Sequence, residues 1–160
     1  MDSPAAARPG PSLKARALRY LAAREHSRAE LATKLARFAT DSDAPDAVER
    51  VLDELAAKGF INEQRVAESL LHRRAALLGN ARVLQELRAK GVPEDVVRTA
   101  TDQLRGTELA RAQAVWRKRF GQPPQDAAER ARQMRFLAAR GFSGDVVRRV
   151  LNAPADDECA

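Results

Sequence analysis

The sequence predicts an all-α protein of about nine short helices, and three observations carry that prediction. Alanine occupies 32 of the 160 positions, and alanine is the strongest helix former because it loses no side-chain entropy on ordering. Aromatic residues make up 4% of the chain, and the β-branched and aromatic residues that fill strands are scarce. Apolar residues recur at spacings of three and four, in stretches of three turns or fewer, each bounded by capping residues, glycine or proline. Helices that short cannot each bury a face alone. They must share cores in groups.

Taken in order, residues 1–12 hold three prolines and a glycine with little to bury, and read as a disordered leader. The first helix runs from about Leu13 to Arg24, with Ala17, Leu18, Tyr20 and Leu21 as its apolar positions. Ser27-Arg28-Ala29-Glu30 is a capping box, and the helix it opens carries Leu31, Leu35 and Phe38. Asp43 and Pro45 start a third, with Val48, Val51, Leu52 and Leu55, stopped by Gly59. Asn62 caps a fourth, carrying Val66, Leu70, Leu71 and Leu78 and closed by Gly79. Asn80 opens a fifth with Val83, Leu84 and Leu87, ending at Gly91. Pro93 falls in the first turn of a sixth, with Glu94 and Asp95 where the helix dipole favours acids. Thr107 starts a seventh with Leu109, Trp116 and Phe120, stopped at Gly121-Gln122-Pro123-Pro124. An eighth spans about Asp126 to Arg140, and a ninth Ser143 to Leu151. Residues 152–160 read as an acidic, disordered tail.

Three of these helix ends repeat one another: Leu55-Ala-Ala-Lys58-Gly59-Phe60, Leu87-Arg-Ala-Lys90-Gly91-Val92 and Leu137-Ala-Ala-Arg140-Gly141-Phe142. Each places a basic residue in the last turn, glycine at the left-handed stop and an apolar residue that can fold back on the helix. The second and third extend through Asp95-Val-Val and Asp145-Val-Val, 50 residues apart. That agreement argues for duplication of a helical unit.

Several function classes fall away. The single cysteine, Cys159, excludes a disulfide framework. No apolar run is long enough to span a membrane, and the N-terminus lacks a secretory pattern, so a soluble cytoplasmic protein is expected. His26 and His72 lie on different units, no HExxH spacing occurs, and a zinc site would lack ligands. His26 is expected to be a solvated turn residue. No GxxxxGK[ST] loop or GxGxxG follows a strand, so no nucleotide site is written here. Neither catalytic residues, metal nor cofactor are predicted.

Charge is more informative. Residues 1–61 hold 10 basic and 9 acidic side chains, residues 62–105 hold 8 and 6, and residues 106–151 hold 10 and 4. Of the 28 basic residues 23 are arginine, whose planar fork suits phosphates and carboxylates. The densest groups are Arg73-Arg74, Arg82 with Arg88, Arg117-Lys118-Arg119, and Arg130, Arg132, Arg135 and Arg140. Such groups can track a phosphate backbone without reading its sequence, and they equally suit an acidic protein surface. Trp116 and Phe120, beside them at helical spacing, read as core rather than as stacking platforms.

The residues also resemble a known family. Tyr20-Leu-Ala-Ala-Arg-Glu-His-Ser-Arg-Ala-Glu-Leu31 is similar to the first unit of the RecX family of bacterial recombination regulators. So are Gly59-Phe-Ile-Asn-Glu-Gln-Arg65-Val-Ala-Glu68-Ser with Gly79 and Arg82–Val92, and Lys118-Arg-Phe-Gly121 with Arg135–Phe142. The resemblance covers about residues 13–151. Val66 departs from it, standing where the family commonly has an aromatic, as does Asn80-Ala81 after Gly79.

The resemblance implies three tandem three-helix repeat units, at 13–61, 62–105 and 106–151, in an elongated, curved array. It also implies a regulatory protein, not an enzyme, that binds the RecA recombinase and its filament on single-stranded DNA. Such proteins inhibit filament extension, ATP hydrolysis, strand exchange and co-protease activity. The implied partners are RecA and single-stranded DNA, with double-stranded DNA through the same basic surface; a monomer is expected. The alternative is a basic, helix-turn-helix-like DNA-binding protein without a RecA partner. The candidate contact surface comprises Arg24, Arg28, Arg65, Arg73, Arg74, Arg82, Arg88, Lys90, Arg117, Lys118, Arg119, Arg135 and Arg140.

Overall fold

A computed structural model describes residues 9–153 of the chain. Most of the expected leader and tail, residues 1–8 and 154–160, therefore lies outside the described residues. Nine helices are present among the described residues: α1 (Leu13–Ala23), α2 (Arg28–Ala36), α3 (Ala47–Ala57), α4 (Glu63–Arg74), α5 (Asn80–Ala89), α6 (Glu94–Leu104), α7 (Glu108–Arg119), α8 (Ala127–Ala139) and α9 (Gly144–Asn152). No strand occurs among them. The helices pack in consecutive threes, α1–α3, α4–α6 and α7–α9. By compactness the chain divides at residue 62, so α1–α3 form one unit and α4–α9 the other.

Each triplet has its own apolar core. The first is built on Ala17, Leu31, Leu35, Leu52, Leu55 and Ile61. The second uses Val66, Ala67, Leu70, Leu87, Val92, Val97 and Ala100, and the third Ala112, Leu137, Phe142, Val146, Val147, Val150 and Leu151. Leu55, Leu87 and Leu137, the aligned leucines of the repeated motif, are all fully buried. Val66 fills its core position at 2% exposure.

Local signals act largely where the sequence puts them. Ser27 accepts from the Glu30 N–H while Glu30 accepts from the Ser27 N–H, closing the capping box on α2. Ser12, Asp126 and Ser143 cap α1, α8 and α9 with the side-chain oxygen alone, accepting from the N–H groups of Ala15, Glu129 and Val146, and each such cap is worth about 1 kcal/mol. Pro93 is the N-cap of α6 rather than a member of its first turn. Thr107 precedes α7, but its hydroxyl donates back to the Leu104 carbonyl and accepts from Arg111 Nε at 3.1 Å instead of capping a backbone N–H of the new helix.

The repeated stop is a Schellman turn in the first and third repeats. Gly59 N–H donates to the Ala56 carbonyl and Phe60 N–H to that of Leu55; Gly141 and Phe142 do the same to Ala138 and Leu137. Val92 and Phe142 fold back into their cores as expected, but Phe60 is 48% exposed and Ile61 is buried in its place. The cause is local. The Leu55 carbonyl also accepts from Ile61 N–H, so the chain stays wrapped one residue longer and turns Ile61 inward.

Gly79 is the second correction. It does not close α4, which ends at Arg74 and is followed by a turn through Leu77. Gly79 has φ −72° and is the N-cap of α5, so no left-handed stop is involved. Its small size serves a close approach: a Cβ here would fall on the backbone of Gly141 and Phe142, and its N–H donates to the Arg140 carbonyl at 2.9 Å. Gly141 reciprocates, for a Cβ there would meet Arg82 Cβ at 2.5 Å. The start of α5 thus lies against the α8–α9 turn, backbone to backbone.

Arg111 fastens this joint. From α7 its guanidinium donates to the carbonyls of Ala75 (2.8 Å) and Leu78 (2.5 Å) and to Asn80 Oδ1. Glu108, one turn earlier, accepts from the N–H groups of Asn80 (3.2 Å) and Ser143 (3.3 Å). Burial pulls the Arg111 pKa down from its usual value, opposed by the Glu108 charge. Three acceptors that the α4–α5 turn would otherwise leave open are satisfied from the third repeat.

Candidate nucleic-acid interface

The predicted contact residues separate into two classes according to what surrounds them. In the first repeat, Arg24 pairs with Glu30 at 3.1 Å, and Arg28 with both Glu49 (2.7 Å) and Asp53 (2.6 Å). Hydrogen bonds to Glu49 and Asp53 raise the Arg28 pKa. Lys14 and Lys58, outside the predicted set, share Glu54, whose carboxyl they hold at about 2. In the second repeat, Arg74 grips Glu86 with two hydrogen bonds of 2.9 and 3.0 Å, and Arg82 stands 3.9 Å from the same carboxylate. Arg88 pairs with Glu94 at 3.2 Å, and Arg73 donates to the Ser69 carbonyl. Arg65 and Lys90 are half-buried.

The third repeat is different. Arg117, Lys118, Arg119, Arg135 and Arg140 have no ion pair among the described residues. The first four are exposed and Arg140 is half-buried. Arg117–Arg119 form the last turn of α7, where the helix dipole also favours cations. The structure therefore leaves the third-repeat members of the predicted set without ion pairs and brings Arg119 and Arg140 to one ring, Phe136, while most of the others are paired with carboxylates.

Two guanidinium groups of this surface, with that of Arg132, lie over aromatic rings. Arg140 stands 3.7 Å from the Phe136 centroid, Arg119 lies 5.3 Å from Phe120 and 5.7 Å from Phe136, and Arg132 lies 5.7 Å from Phe120. The two rings meet edge to face at 5.1 Å. Arg132, Phe136 and Arg140 are spaced by four, so α8 presents them as one stripe, and Phe120 from the end of α7 faces its middle. Beside Phe120 opens a cleft of about 290 Å³, lined also by Arg119, Gln122, Pro123, Gln125, Glu129, Arg132 and Gln133.

One buried side chain shapes that cleft. Gln133, 1% exposed, accepts from Trp116 Nε1 at 2.8 Å and donates to the Gln122 carbonyl and to Glu129, both at 3.2 Å. It ties the α7–α8 loop to α8 and fixes the cleft wall. Trp116 packs on the third core as expected. Phe120 does not: it lines the cleft outside that core.

Three contributors escape a reading of the sequence. Phe120 looks like core because its helical spacing from Trp116 is core-like, yet the helix ends at Arg119 and frees it. Gln133 and Arg111 carry no local signal for these roles, since the partners through which they fix the loop and the joint lie 11 to 36 residues away. His26 is a further correction. It is 2% exposed, not a solvated turn residue, and lies against Tyr20 with ring centroids 5.7 Å apart. Its Nδ1 faces the Arg24 carbonyl at 3.1 Å and its Nε2 the Lys34 ammonium at 2.8 Å. A carbonyl only accepts and an ammonium only donates, so the ring is the neutral tautomer with its proton on Nδ1. Burial first, and the Arg24 and Lys34 charges after it, hold its pKa below the usual histidine value.

Comparison with known proteins matches this architecture domain by domain. Residues 14–55, 62–100 and 107–151 match the first, second and third three-helix domains of RecX. The chain is 60% identical to the regulatory protein RecX of Leptothrix cholodnii, covering 94% of each chain. It is 51% identical to that of Ralstonia nicotianae over 88% of this chain and 86% of the other. The fold superposes on the crystal structure of RecX from Lactobacillus salivarius with a TM-score of 0.70 at 19% identity, covering 87% of this chain and 92% of that one. With three successive domain matches on three separately cored helix triplets, the chain belongs to the RecX family of regulatory proteins.

Proposed function

We propose that this protein modulates the RecA recombinase by binding RecA and its filament on single-stranded DNA. It inhibits filament extension, and with it ATP hydrolysis, strand exchange and co-protease activity. The observation that carries the reading is the concentration of cations without ion pairs on the third repeat of a RecX-family chain. Without a nucleotide-binding loop in its sequence, the protein acts by binding one filament state better than another. Weak contacts from separate repeats add through effective concentration. Double-stranded DNA meets the same basic surface more weakly than the filament does. The protein works as a monomer in the cytoplasm and needs no cofactor.

The test is RecA ATP hydrolysis on single-stranded DNA, with this protein added well below the RecA concentration. Loss of hydrolysis at substoichiometric ratios is expected. Loss only when the protein is abundant enough to coat the strand supports the second reading, a DNA-binding protein without a RecA partner. The arginine–phenylalanine stripe favours that second reading enough to keep it in view. It predicts strong binding to naked DNA, with a log–log salt slope of about −0.7 to −0.9 per phosphate neutralised. No change in hydrolysis at any ratio removes the RecA assignment.

A further inference from the structure

We propose that the cleft between the end of α7 and α8 is a stacking subsite for one unpaired base of a single-stranded nucleic acid. The inference rests on the DNA-binding part of the reading above and assigns it a place and a ligand class. Size limits the occupant first. A cleft of about 290 Å³ sits at the lower edge of ligand pockets, roughly 300–1,000 Å³. It admits one planar ring system, not a folded segment of protein.

Chemistry narrows it further. Phe120 offers an aromatic wall outside the apolar core, and the guanidinium carbons of Arg119 and Arg132 lie 5.3 and 5.7 Å from its centroid. Aromatic rings and guanidinium planes are the surfaces on which unstacked bases settle. Gln122 and Gln125 bring amide groups to the rim, able to pair with a base edge. Glu129 also lines the cleft, its carboxylate held by Arg132 at 3.4 Å and by Gln133 Nε2 at 3.2 Å, with lone pairs left to accept from a base amine. Arg117, Lys118 and Arg135 stay exposed outside it without ion pairs, where the phosphates on either side of an inserted base would run. The wall is preorganised, because Gln133 spends its hydrogen bonds holding the loop, Glu129 and Trp116 in place.

The experiment measures binding of two labelled probes, an oligodeoxythymidine and a length-matched abasic oligonucleotide, across a salt series. The proteins are the full chain, Phe120→Leu, and Arg117→Gln with Lys118→Gln. Phe120→Leu is expected to weaken thymidine binding about tenfold with its salt slope unchanged, and to leave abasic binding as it was. The double glutamine variant weakens both probes and flattens both slopes. A 5-iodouracil crosslink on the unaltered protein maps to Phe120, which checks the stack without any substitution. Thymidine binding that ignores Phe120, with a crosslink elsewhere, overturns the subsite and leaves DNA binding standing. Binding of neither probe overturns both. A polyglutamate peptide whose affinity depends on Phe120 overturns the nucleic-acid assignment in favour of an acidic protein partner.

Discussion

The first and third repeats start from nearly the same number of cations and end with different surfaces. Residues 13–61 and residues 106–151 hold 9 and 10 basic side chains, against 8 and 4 acidic ones. In the first repeat the acids stand where the cations can reach them: Glu54 between Lys14 and Lys58, Glu30 on Arg24, Glu49 and Asp53 on Arg28, Asp46 on Arg50. In the third, Glu129 pairs with Arg132, while Glu108 is turned inward to the joint with α5. Among the described residues the first repeat thus pairs five of its nine cations with carboxylates, and the third pairs one of its ten. Solvent-exposed pairs contribute little to stability, about 0–1 kcal/mol. Their consequence is for what the surface attracts.

Four experiments sharpen or break this comparison. The largest effects lie in what the repeats share. Leu55→Ala, Leu87→Ala and Leu137→Ala each remove a fully buried leucine from an equivalent place, and each is expected to cost about 3 kcal/mol in urea unfolding. Unequal losses would show that the aligned motif does not do equal structural work. Next comes the joint that the first repeat lacks among its own helices. Gly79→Ala drives a Cβ into the Gly141–Phe142 backbone, and Arg111→Met strips three acceptors of their donor. Each is expected to cost about 2 kcal/mol, with the faster hydrogen exchange centred on residues 75–83 and 140–143.

The third experiment addresses the surface itself. Arg117→Gln, Lys118→Gln and Arg119→Gln together should weaken binding to single-stranded DNA and inhibition of RecA about tenfold. The salt slope should become shallower by about 0.7 for each phosphate no longer neutralised. Arg24→Gln, Arg28→Gln and Arg50→Gln together should change either by less than about threefold, their charges being already paired. Equal effects from the two sets would remove the distinction between the repeats.

The smallest effect is a pH dependence confined to the first repeat. His26 is held neutral, with its folded pKa below the unfolded value of about 6.5. Between those two values the unfolded chain binds more protons, so stability rises with pH there. His26 therefore costs nothing above about pH 6.5 and destabilises progressively as pH falls below it. His26→Gln is expected to flatten the unfolding midpoint between about pH 5 and 7. A midpoint as steep in the variant as in the parent would assign the slope to other groups.

Much of the architecture was legible in the order of residues. Alanine content, three- and four-residue spacing, the Ser27–Glu30 box and the glycine stops dictate nine helices because they act within one or two turns, where the chain's own geometry decides. The duplicated Leu55, Leu87 and Leu137 ends likewise mark the units, since each stop closes on residues a few positions back along its own helix. The residue types of the cationic surface were visible too, but not which of them lack a carboxylate partner. Ion pairing depends on which carboxylate another helix brings within 4 Å, as Glu49 and Asp53 of α3 are brought to Arg28 on α2.

By itself, then, the sequence determined the helices, their stops, the repeated unit and the family resemblance, all set by interactions short along the chain. Tertiary structure decided the rest. Gly79 reads as a stop and proves to be a close approach, because its constraint comes from a backbone 62 residues away. His26 reads as solvated and proves buried, because Tyr20 and Lys34 close over it from α1 and α2. Phe120 reads as core and proves a cleft wall, because α7 ends one residue before it and its ring meets Phe136 of α8 edge to face outside the third core. In each case the side chain's surroundings come from other segments of the chain, and no local pattern specifies where folding will bring those segments.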